Sequence, residues 1–258
     1  MRNLVDLNAD AGESFGRWSL GDDARLLPHV TSVNVACGWH AGDPATMRAS
    51  VELAAENGVG LGAHPGLPDL AGFGRRALAL TPREAADACL YQYGALRAFA
   101  DAHGVPITHV KPHGAFYGLA IRDHSIAAAV VDAVGTVDGE VVTVLLAGPT
   151  ADAVAGRGVP VAREAFADLD YDDNGHIIIE PNPAAKDPRA CADQAAAILS
   201  GRVRTVSGGT VGIEADTICV HGDRPNAVDV ARAVRARIAA EGATVAPLRD
   251  VLAARRQG

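Results

Sequence analysis

The sequence predicts an α/β fold, specifically a β/α barrel of seven strands. Short β-branched apolar runs alternate with alanine-rich stretches of helical period along the 258 residues, which favours parallel strands joined by helices. Titratable residues follow nearly every predicted strand, as expected of a barrel, whereas an open sheet would concentrate them near one switch point. No linker, repeat or charge block divides the chain, so we expect one domain over residues 1–258.

Seven segments have the length and composition of strands. They cover residues 3–8, 30–36, 58–62, 108–111, 141–146, 159–163 and 217–220. The first and the fourth alternate polar and apolar residues, so each presents one polar face. Those faces carry Asp6, Asn8 and Asp10 at the first strand and His109, Lys111 and His113 at the fourth. We expect them to point into the barrel while the apolar faces pack against helices.

Six helices are predicted between the strands, over residues 44–57, 81–103, 125–134, 151–157, 188–201 and 225–242. The second has the clearest boundaries. Thr81, Pro82 and Glu84 form a capping-box sequence with proline in the first turn, and Gly104 is typical of the position just beyond a helix end. Asp43, directly before a proline, is expected to cap the first helix.

The composition argues against several classes of protein. Lys plus Arg number 23 and Asp plus Glu 31, and the net charge of −8 argues against binding to nucleic acid or to an anionic membrane. No apolar run reaches the roughly 18 residues of a membrane span, and Asp6 comes too early for a signal-peptide core, so a cytoplasmic location is expected. The four cysteines are far apart and are expected to be reduced thiols.

Acidic and imidazole side chains after the early strands are candidates for catalysis or binding. Asp10 and Glu13 could serve as a general base or as metal ligands, although Asp and Gly are also common in plain turns. His40 lies in a glycine-flanked loop where backbone can approach a ligand closely. His64 precedes Pro65 and Gly66, which suggests a rigid turn that presents the imidazole.

Lys111 is informative because only it and Lys186 are lysines among the 23 basic residues. A compact ammonium at a strand end could face a developing oxyanion or a phosphate. The alternative is a structural ion pair with a carboxylate of the first strand.

Later carboxylates and imidazoles complete a ring of titratable groups, namely Glu164, Asp168, His221 and Asp223. Such a ring can hold a divalent metal, but no tightly spaced histidines mark a metal motif, so a metal stays an open question. No phosphate-binding loop motif occurs, and a nucleotide site cannot be located from the sequence. Arg75, in the small and basic segment 72–76, could bind an anion or form a surface ion pair.

Six segments resemble the LamB/YcsF family, in order and along nearly the whole chain. They are DLNADAGE (6–13), NVACGWHAGDP (34–44), GAHPG (62–66), GFGRR (72–76), HVKPHGA (109–115) and CVHGD (219–223). The resemblance implies a barrel of the glycoside hydrolase/deacetylase type. It also implies hydrolysis of 5-oxoproline to glutamate with ATP as co-substrate, by an enzyme that needs two further subunits, B and C.

The implied reaction suggests roles for the candidate residues. An unstrained lactam is a poor electrophile, so phosphorylation of its oxygen would let water add to the ring carbon. Lys111 would offset negative charge, a carboxylate would take the proton from water, and an imidazole would act as acid or orienting donor. The expected catalytic residues are Asp10, Glu13, His64, Lys111 and His113, and those expected to bind substrate are Asn8, His40, Arg75, Glu164, Asp168, His221 and Asp223.

The chain departs from the family pattern at two positions, because family members usually carry arginine where Leu169 and Glu180 stand. If those arginines meet the substrate carboxylate or ATP, substrate choice or ATP use differs here. If they are only ion-pair partners at the rim, nothing changes. Two alternative functions are therefore kept: a divergent hydrolase of another lactam or a carbohydrate amide, with a metal and without ATP, and a non-catalytic binding subunit.

Overall fold

Seven parallel strands close into a barrel. The structure, a computed structural model, describes residues 4–180 and 183–256. The barrel strands are β1 (Leu4–Ala11), β2 (Ser32–Ala36), β3 (Gly60–His64), β4 (Ile107–Val110), β5 (Val142–Leu146), β6 (Val161–Phe166) and β7 (Thr217–Val220). Each strand pairs with the next in chain order, and β7 pairs with both β6 and β1 to close the ring. The predicted seven-stranded β/α barrel is therefore confirmed.

Helices connect the strands. In the described part of the chain they are α1 (Asp23–Leu26), α2 (Pro44–Asn57), α3 (Pro82–Ala102), α4 (Gly114–Arg122), α5 (His124–Val137), α6 (Pro149–Val154), α7 (Pro188–Leu199), α8 (Ala227–Ala240) and α9 (Leu248–Arg255), with 3₁₀ turns at Leu27–His29 and Leu70–Gly72. The predicted capping box of Thr81 and Glu84 is present at the start of α3. Among the described residues, no helix has both the length and the apolar character that crossing a membrane requires.

The barrel carries additional short strands that the sequence did not predict. Two antiparallel hairpins lie between β6 and β7: Asp170–Tyr171 pairs with Ile177–Ile178, and Arg202–Arg204 pairs with Thr210–Gly212. Thr244–Val245 adds a short parallel strand beside the start of β1. The first hairpin lies directly after β6 and contributes to the rim of the barrel opening.

Strands β1 and β6 run farther than predicted, so Asp10 and Glu164 lie inside strands rather than after them. The reason is that polar side chains inside the barrel form hydrogen bonds with one another. Asn34 Nδ2 donates to Asp10 Oδ1 at 2.8 Å, and Asn8 Nδ2 donates to Glu164 Oε1 at 3.0 Å. A polar side chain with an interior partner does not end a strand.

The polar strand faces point into the barrel, as predicted. Asp6 accepts hydrogen bonds from the hydroxyls of Ser32 and Thr217, and His109 Nε2 lies 2.8 Å from Asn34 Oδ1. The alternating apolar residues of β1 belong to the main hydrophobic core. All four cysteines are buried and unpaired, which agrees with the expectation of reduced thiols.

The amino end of the barrel is closed by apolar packing. Val142, Val144 and Ala162, near the starts of β5 and β6, form a separate cluster with Leu248 and Leu252 of α9. Because the starts of parallel strands share one end of a barrel, α9 covers the end opposite to the strands' carboxyl ends.

Candidate active site

A pocket opens at the carboxyl end of the barrel, where the loops after the strands meet. Seven of the twelve site residues predicted from sequence line it, namely Asp10, His64, Arg75, Lys111, His113, His221 and Asp223. Reactive groups of barrel enzymes gather at this face, so the pocket is the candidate active site.

The other five predicted residues, Asn8, Glu13, His40, Glu164 and Asp168, lie buried behind the pocket wall. Glu164 shows what such residues do. It is fully buried and accepts hydrogen bonds from the side chains of Asn8 and Tyr117, at 3.0 and 2.8 Å. Contacts of this kind orient the residues that face the pocket.

Lys111 sits at the floor of the pocket with its ammonium among acceptors from three strands. Its Nζ lies 3.0 Å from both Asp10 Oδ1 and Glu164 Oε1, and 2.9 Å from Cys219 Sγ. Burial alone would lower the pKa of this lysine, but the charge of Asp10, followed by the other neighbours, raises it well above its usual range. The structural ion pair considered as an alternative is therefore present, and it lies in the pocket.

Asp10 is the carboxylate at the centre of the pocket. Its Oδ2 lies 3.4 Å from His64 Nε2 and 3.8 Å from His221 Nε2. Burial disfavours ionisation, yet the neighbouring His64 and Lys111 hold the pKa of Asp10 well below its usual value. Asp10 is thus an ionised acceptor that can orient a water or a substrate donor.

His221 and Asp168 form an oriented imidazole–carboxylate pair. Asp168 Oδ1 lies 2.9 Å from His221 Nδ1, and its Oδ2 accepts from the His221 backbone N–H and from Arg224 Nε. Burial lowers the pKa of His221, but the charge and hydrogen bond of Asp168 raise it above 6.5. The free Nε2 lies in the pocket, where it can exchange a proton with a bound molecule.

Glu13, His40, His64 and His113 form a buried group behind and within the pocket wall. One possible ligand atom of each lies within 4.8 Å of the others. Imidazole and carboxylate are residue types that bind metal ions, whereas the sequence had suggested a ring that included Glu164, Asp168 and Asp223. The donors come from loops and strand ends far apart in sequence, which explains why no spacing motif marks them.

Two glycines make room for these imidazoles. A Cβ at Gly66 would overlap the ring of His40, and a Cβ at Gly74 would lie 2.7 Å from His40 Cβ and 2.9 Å from His113 Cδ2. Gly74 also has φ +64°, a conformation that favours glycine. Segments 62–66 and 72–76 therefore contribute to the site in two ways. Their glycines allow close packing, and one polar residue of each lines the pocket.

Arg75 makes an ion pair rather than lying free in the solvent. Its Nη2 is 2.7 Å from Asp223 Oδ2, and its side chain is 12% exposed. Asp223 Oδ1 is buried and has no hydrogen-bond partner in the described part of the chain. The neighbouring Arg76 pairs with Asp69. Arg75 and Asp223 therefore form an ion pair that lines the pocket and leaves one carboxylate oxygen without a partner among the described residues.

Sequence reasoning missed two polar residues of the pocket, Arg224 and Tyr117. Arg224 is 3% exposed and binds Asp168, Glu180 and the backbone oxygen of Ala184. Its position one residue after Asp223 was an available signal. Tyr117 lies on α4, a helix that the sequence pattern did not reveal, so its contact with Glu164 could not be anticipated.

Leu169 and Glu180, the two departures from the family pattern, both line the pocket. Glu180 pairs with Arg224 at 3.2 Å and with Lys186 at 3.0 Å. The departures therefore lie where a bound molecule would meet them.

Comparisons with known proteins agree with this architecture. A model of the LamB/YcsF family matches residues 5–253. Relatives from Pyrococcus furiosus and Deinococcus radiodurans, each named as the A subunit of 5-oxoprolinase, are 45% and 47% identical over 252 residues, covering 96% and 95% of this chain and 99% and 98% of theirs. The crystal structure of a lactam utilization protein from Thermus thermophilus matches with a TM-score of 0.85 at 44% identity, covering 95% of this chain and 99% of that one. With the family model matched almost from end to end, this chain belongs to the LamB/YcsF family.

Proposed function

We propose that the protein is the A subunit of an ATP-dependent 5-oxoprolinase, which acts in the cytoplasm with subunits B and C and hydrolyses 5-oxo-L-proline to L-glutamate. The observation that carries this proposal is the 44–47% identity to relatives named as 5-oxoprolinase A subunits, over nearly their full length. The pocket supports it, because an ammonium, an ionised carboxylate and an oriented imidazole surround a space at the barrel opening.

Arg75 and Asp223 match two polar groups of 5-oxoproline, its carboxylate and its lactam N–H. The Arg75 guanidinium uses one nitrogen for Asp223, and its remaining N–H donors can bind the substrate carboxylate. The unpartnered Oδ1 of Asp223 can accept the lactam N–H. We assign both residues to substrate binding.

ATP activates the lactam in this proposal. Its terminal phosphoryl group is transferred to the lactam oxygen, with release of ADP, and water adds to the ring carbon. The C–N bond then breaks as the nitrogen gains a proton, and a second water releases phosphate from the acyl phosphate. Lys111 directs its N–H donors at Asp10, Glu164 and Cys219, so we assign its charge to stabilising the developing oxyanion and to holding Asp10 in place.

Proton transfer falls to His221, oriented by Asp168, while Asp10 positions the attacking water. We assign Asn8, Glu164 and Asp168, which the sequence suggested as substrate contacts, to positioning the pocket residues. His64 lies beside Asp10 and helps to orient it. Glu13, His40 and His113 lie close to one another in and behind the pocket wall, and we assign them no direct step in the reaction.

We infer that subunits B and C are required, because the pocket formed by the described residues offers little to a triphosphate. The sequence has no phosphate-binding loop, and the pocket arginines are engaged in ion pairs, Arg75 with Asp223 and Arg224 with Asp168 and Glu180. We infer that the partner subunits complete the ATP site.

The test is glutamate release from 5-oxoproline and ATP, with this protein and its B and C subunits from the same source. We expect glutamate only when all three are present. His221→Ala should lower kcat by about 10²–10⁴-fold, the range of a lost general base. His176→Ala, which removes an exposed histidine, is the matched control and should leave the rate unchanged.

An assembled, folded complex that releases no glutamate would contradict the proposal. The divergent-hydrolase alternative would then be favoured, because Leu169 and Glu180 line the pocket and would alter its fit to a small carboxylate. Other cyclic amides, tested with and without ATP, would be the next substrates.

A further inference from the structure

Two imidazoles in the pocket wall meet nitrogen to nitrogen. His64 Nδ1 lies 2.6 Å from the backbone oxygen of Lys111, and His113 Nε2 lies 2.8 Å from that of Phe73. A carbonyl oxygen only accepts hydrogen bonds, so each of these nitrogens carries a proton. The remaining nitrogens, His64 Nε2 and His113 Nδ1, are 3.0 Å apart, which is a hydrogen-bond distance. Two neutral rings would face each other there with lone pairs, so the contact requires one more cation between them.

Stacking of a third ring argues against a metal ion in this place. His40 and His113 have ring centroids 3.8 Å apart and planes only 5° apart. Nitrogen lone pairs lie in the ring plane, so stacked rings cannot both direct one at the same ion. His64 and His113 have planes 84° apart and centroids 4.9 Å apart, which allows an N–H of one ring to point at a nitrogen of the other. The geometry therefore favours a proton over a metal ion.

A row of buried charges gives a second reason for this proton. Lys111 Nζ lies 3.0 Å from both Asp10 and Glu164, and all three side chains are at most 4% exposed. Both carboxylates also accept hydrogen bonds from asparagine side chains, so both are ionised. One ammonium and two carboxylates leave one uncompensated negative charge in the interior, which destabilises the fold. His64 Nε2 lies 3.4 Å from Asp10 Oδ2, so an imidazolium at His64 balances that charge.

The other titratable side chains around the two rings do not supply this balance. They are Glu13, Cys37, His40 and His109. Burial lowers the pKa of His40 well below 6.5 and that of His109 to about 3. Burial also raises the pKa of Cys37 to about 12 and that of Glu13 well above its usual value. All four are therefore neutral, and the charges that act on the pair are those of Asp10 and Lys111.

We propose that His64 and His113 hold one proton between them. His64 is the imidazolium and His113 Nδ1 accepts its Nε2 proton, because His64 is the ring beside the Asp10 carboxylate. Burial and the neighbouring imidazoles keep the pKa of His113 well below 6.5, which agrees with a neutral ring there. His64 then completes a row of alternating charges with Asp10, Lys111 and Glu164.

This proton makes His64 a positioning residue in the reaction proposed above, and that role rests on the proposed function. The His64 imidazolium faces Asp10 Oδ2, and the Lys111 ammonium faces Asp10 Oδ1. An aspartate between two cations stays ionised and directs a water molecule without taking its proton. That proton is left to His221.

The first test is an NMR measurement on the ¹⁵N-labelled wild-type protein, without partners or substrate. At neutral pH we expect protons on both ring nitrogens of His64. We also expect a scalar coupling between His64 Nε2 and His113 Nδ1 across the N–H···N hydrogen bond, which identifies the pair without a variant. Both rings are at most 4% exposed, so the shared proton should exchange slowly with water. Absence of either feature in the folded protein would overturn the proposal.

Asp10→Asn tests whether the row of charges holds the proton. The pH at which the pair releases its proton should fall by about 1–3 units, the range for loss of an opposite charge this close. Asp172→Asn, at an exposed Asp–His pair, is the control and should leave that pH unchanged. An unchanged or higher value in folded Asp10→Asn would contradict the charge balance. If Asp10→Asn does not fold, Glu164→Gln should lower the value by less, and the wild-type coupling still decides whether the proton is present.

The positioning role is tested in the enzyme reconstituted with its B and C subunits. Glutamate release should decline with rising pH at the point where NMR shows the pair losing its proton, because Asp10 then loses one of its two cations. An active complex without this decline would overturn the positioning role of His64. A folded complex that is inactive at every pH would contradict the proposed function and the positioning role with it, whereas the NMR result would stand by itself.

Discussion

Near the carboxyl end of the barrel, ion pairs rather than apolar packing hold the charged side chains of the interior in place. Lys111 connects Asp10 on β1 with Glu164 on β6, and all three side chains are almost completely buried. Solvent screens such a group weakly, so each charge depends on the others. Removal of the ammonium leaves two carboxylates near each other in a region of low dielectric.

We therefore expect Lys111→Met to lower the free energy of unfolding by about 3–5 kcal/mol, the usual effect of breaking a buried ion pair from one side. A urea titration followed by circular dichroism measures it. Lys186→Met removes the chain's other lysine, which is partly exposed, and should cost about 1 kcal/mol or less. Equal losses for the two variants would show that burial does not strengthen the Lys111 pairs.

The His221–Asp168 pair leads to a prediction about pH. Burial lowers the pKa of His221, and only the charge and hydrogen bond of Asp168, helped by Asp10, lift it above 6.5. In Asp168→Asn the lowering effect of burial prevails, so we expect His221 to lose its proton at a lower pH than in the wild type. Because a neutral His221 accepts the proton from water in our scheme, the rise of activity with pH should also move to lower pH.

NMR titration of the His221 ring measures this pKa directly, without the other subunits. The plateau rate of the reconstituted enzyme should fall as well, because an amide in place of the Asp168 carboxylate no longer fixes the tautomer of His221. A pKa of His221 that is unchanged or higher in Asp168→Asn would contradict the pairing. Asp172→Asn, at an exposed Asp–His pair, serves as the control.

Individual site residues were predictable from sequence where strand alternation governs them. Asp6, Asn8, Asp10 and Lys111 share inward faces that a period of two reveals. The separation between pocket-lining and buried residues was not predictable, because it depends on loop paths. Glu13 and His40 follow neighbouring strands, yet both fold back behind the imidazoles of the pocket wall.

At the scale of elements, local capping chemistry made some boundaries predictable. The bounds of α2 are those predicted, because Asp43 accepts the N–H groups of Ala45 and Thr46 at its start and Gly58 adopts φ 63° after its end. Helix α4 was missed, since it begins at Gly114 without a side-chain cap and directly follows a strand-end motif. Its position is set by tertiary contacts such as the hydrogen bond from the backbone N–H of residue 115 to the oxygen of residue 74.

Strands β3 and β4 pack closely because Gly62 lacks a Cβ, and a methyl group there would overlap the ring of His109. We expect Gly62→Ala to destabilise the fold by about 1–3 kcal/mol through overpacking. In a His109→Ala background the added methyl group has room, so the same change should cost far less. Denaturant unfolding of the four proteins in this double-mutant cycle gives the coupling energy. Additive effects of the two substitutions would show that the His109 ring does not restrict the side chain at residue 62.

For the whole molecule, the barrel interior changes character along its axis. The amino end is apolar, with Val142, Val144 and Ala162 against α9. The middle is a network of polar side chains, and the carboxyl end carries the pocket. The strand pattern allowed the middle and the carboxyl end to be predicted, but nothing local in residues 248–255 indicates that this helix covers the barrel's amino end.

Because the apolar amino end and the pocket lie at opposite ends of the barrel, a change at the amino end should affect stability and leave activity unchanged. A substitution of Leu252 tests this expectation. Leu252 is 7% exposed and packs at the amino end, far along the strands from the pocket. We expect Leu252→Ala to lower the free energy of unfolding by about 2–5 kcal/mol, the range for a buried leucine. At a temperature where the variant stays folded, kcat and KM should match the wild type, because the polar middle layer isolates the pocket from the change. Leu70→Ala, at a 46% exposed position, should alter stability little. Activity that falls in folded Leu252→Ala would mean that packing at the amino end positions the pocket, and that the two ends of the barrel are coupled through Lys111 and its partners.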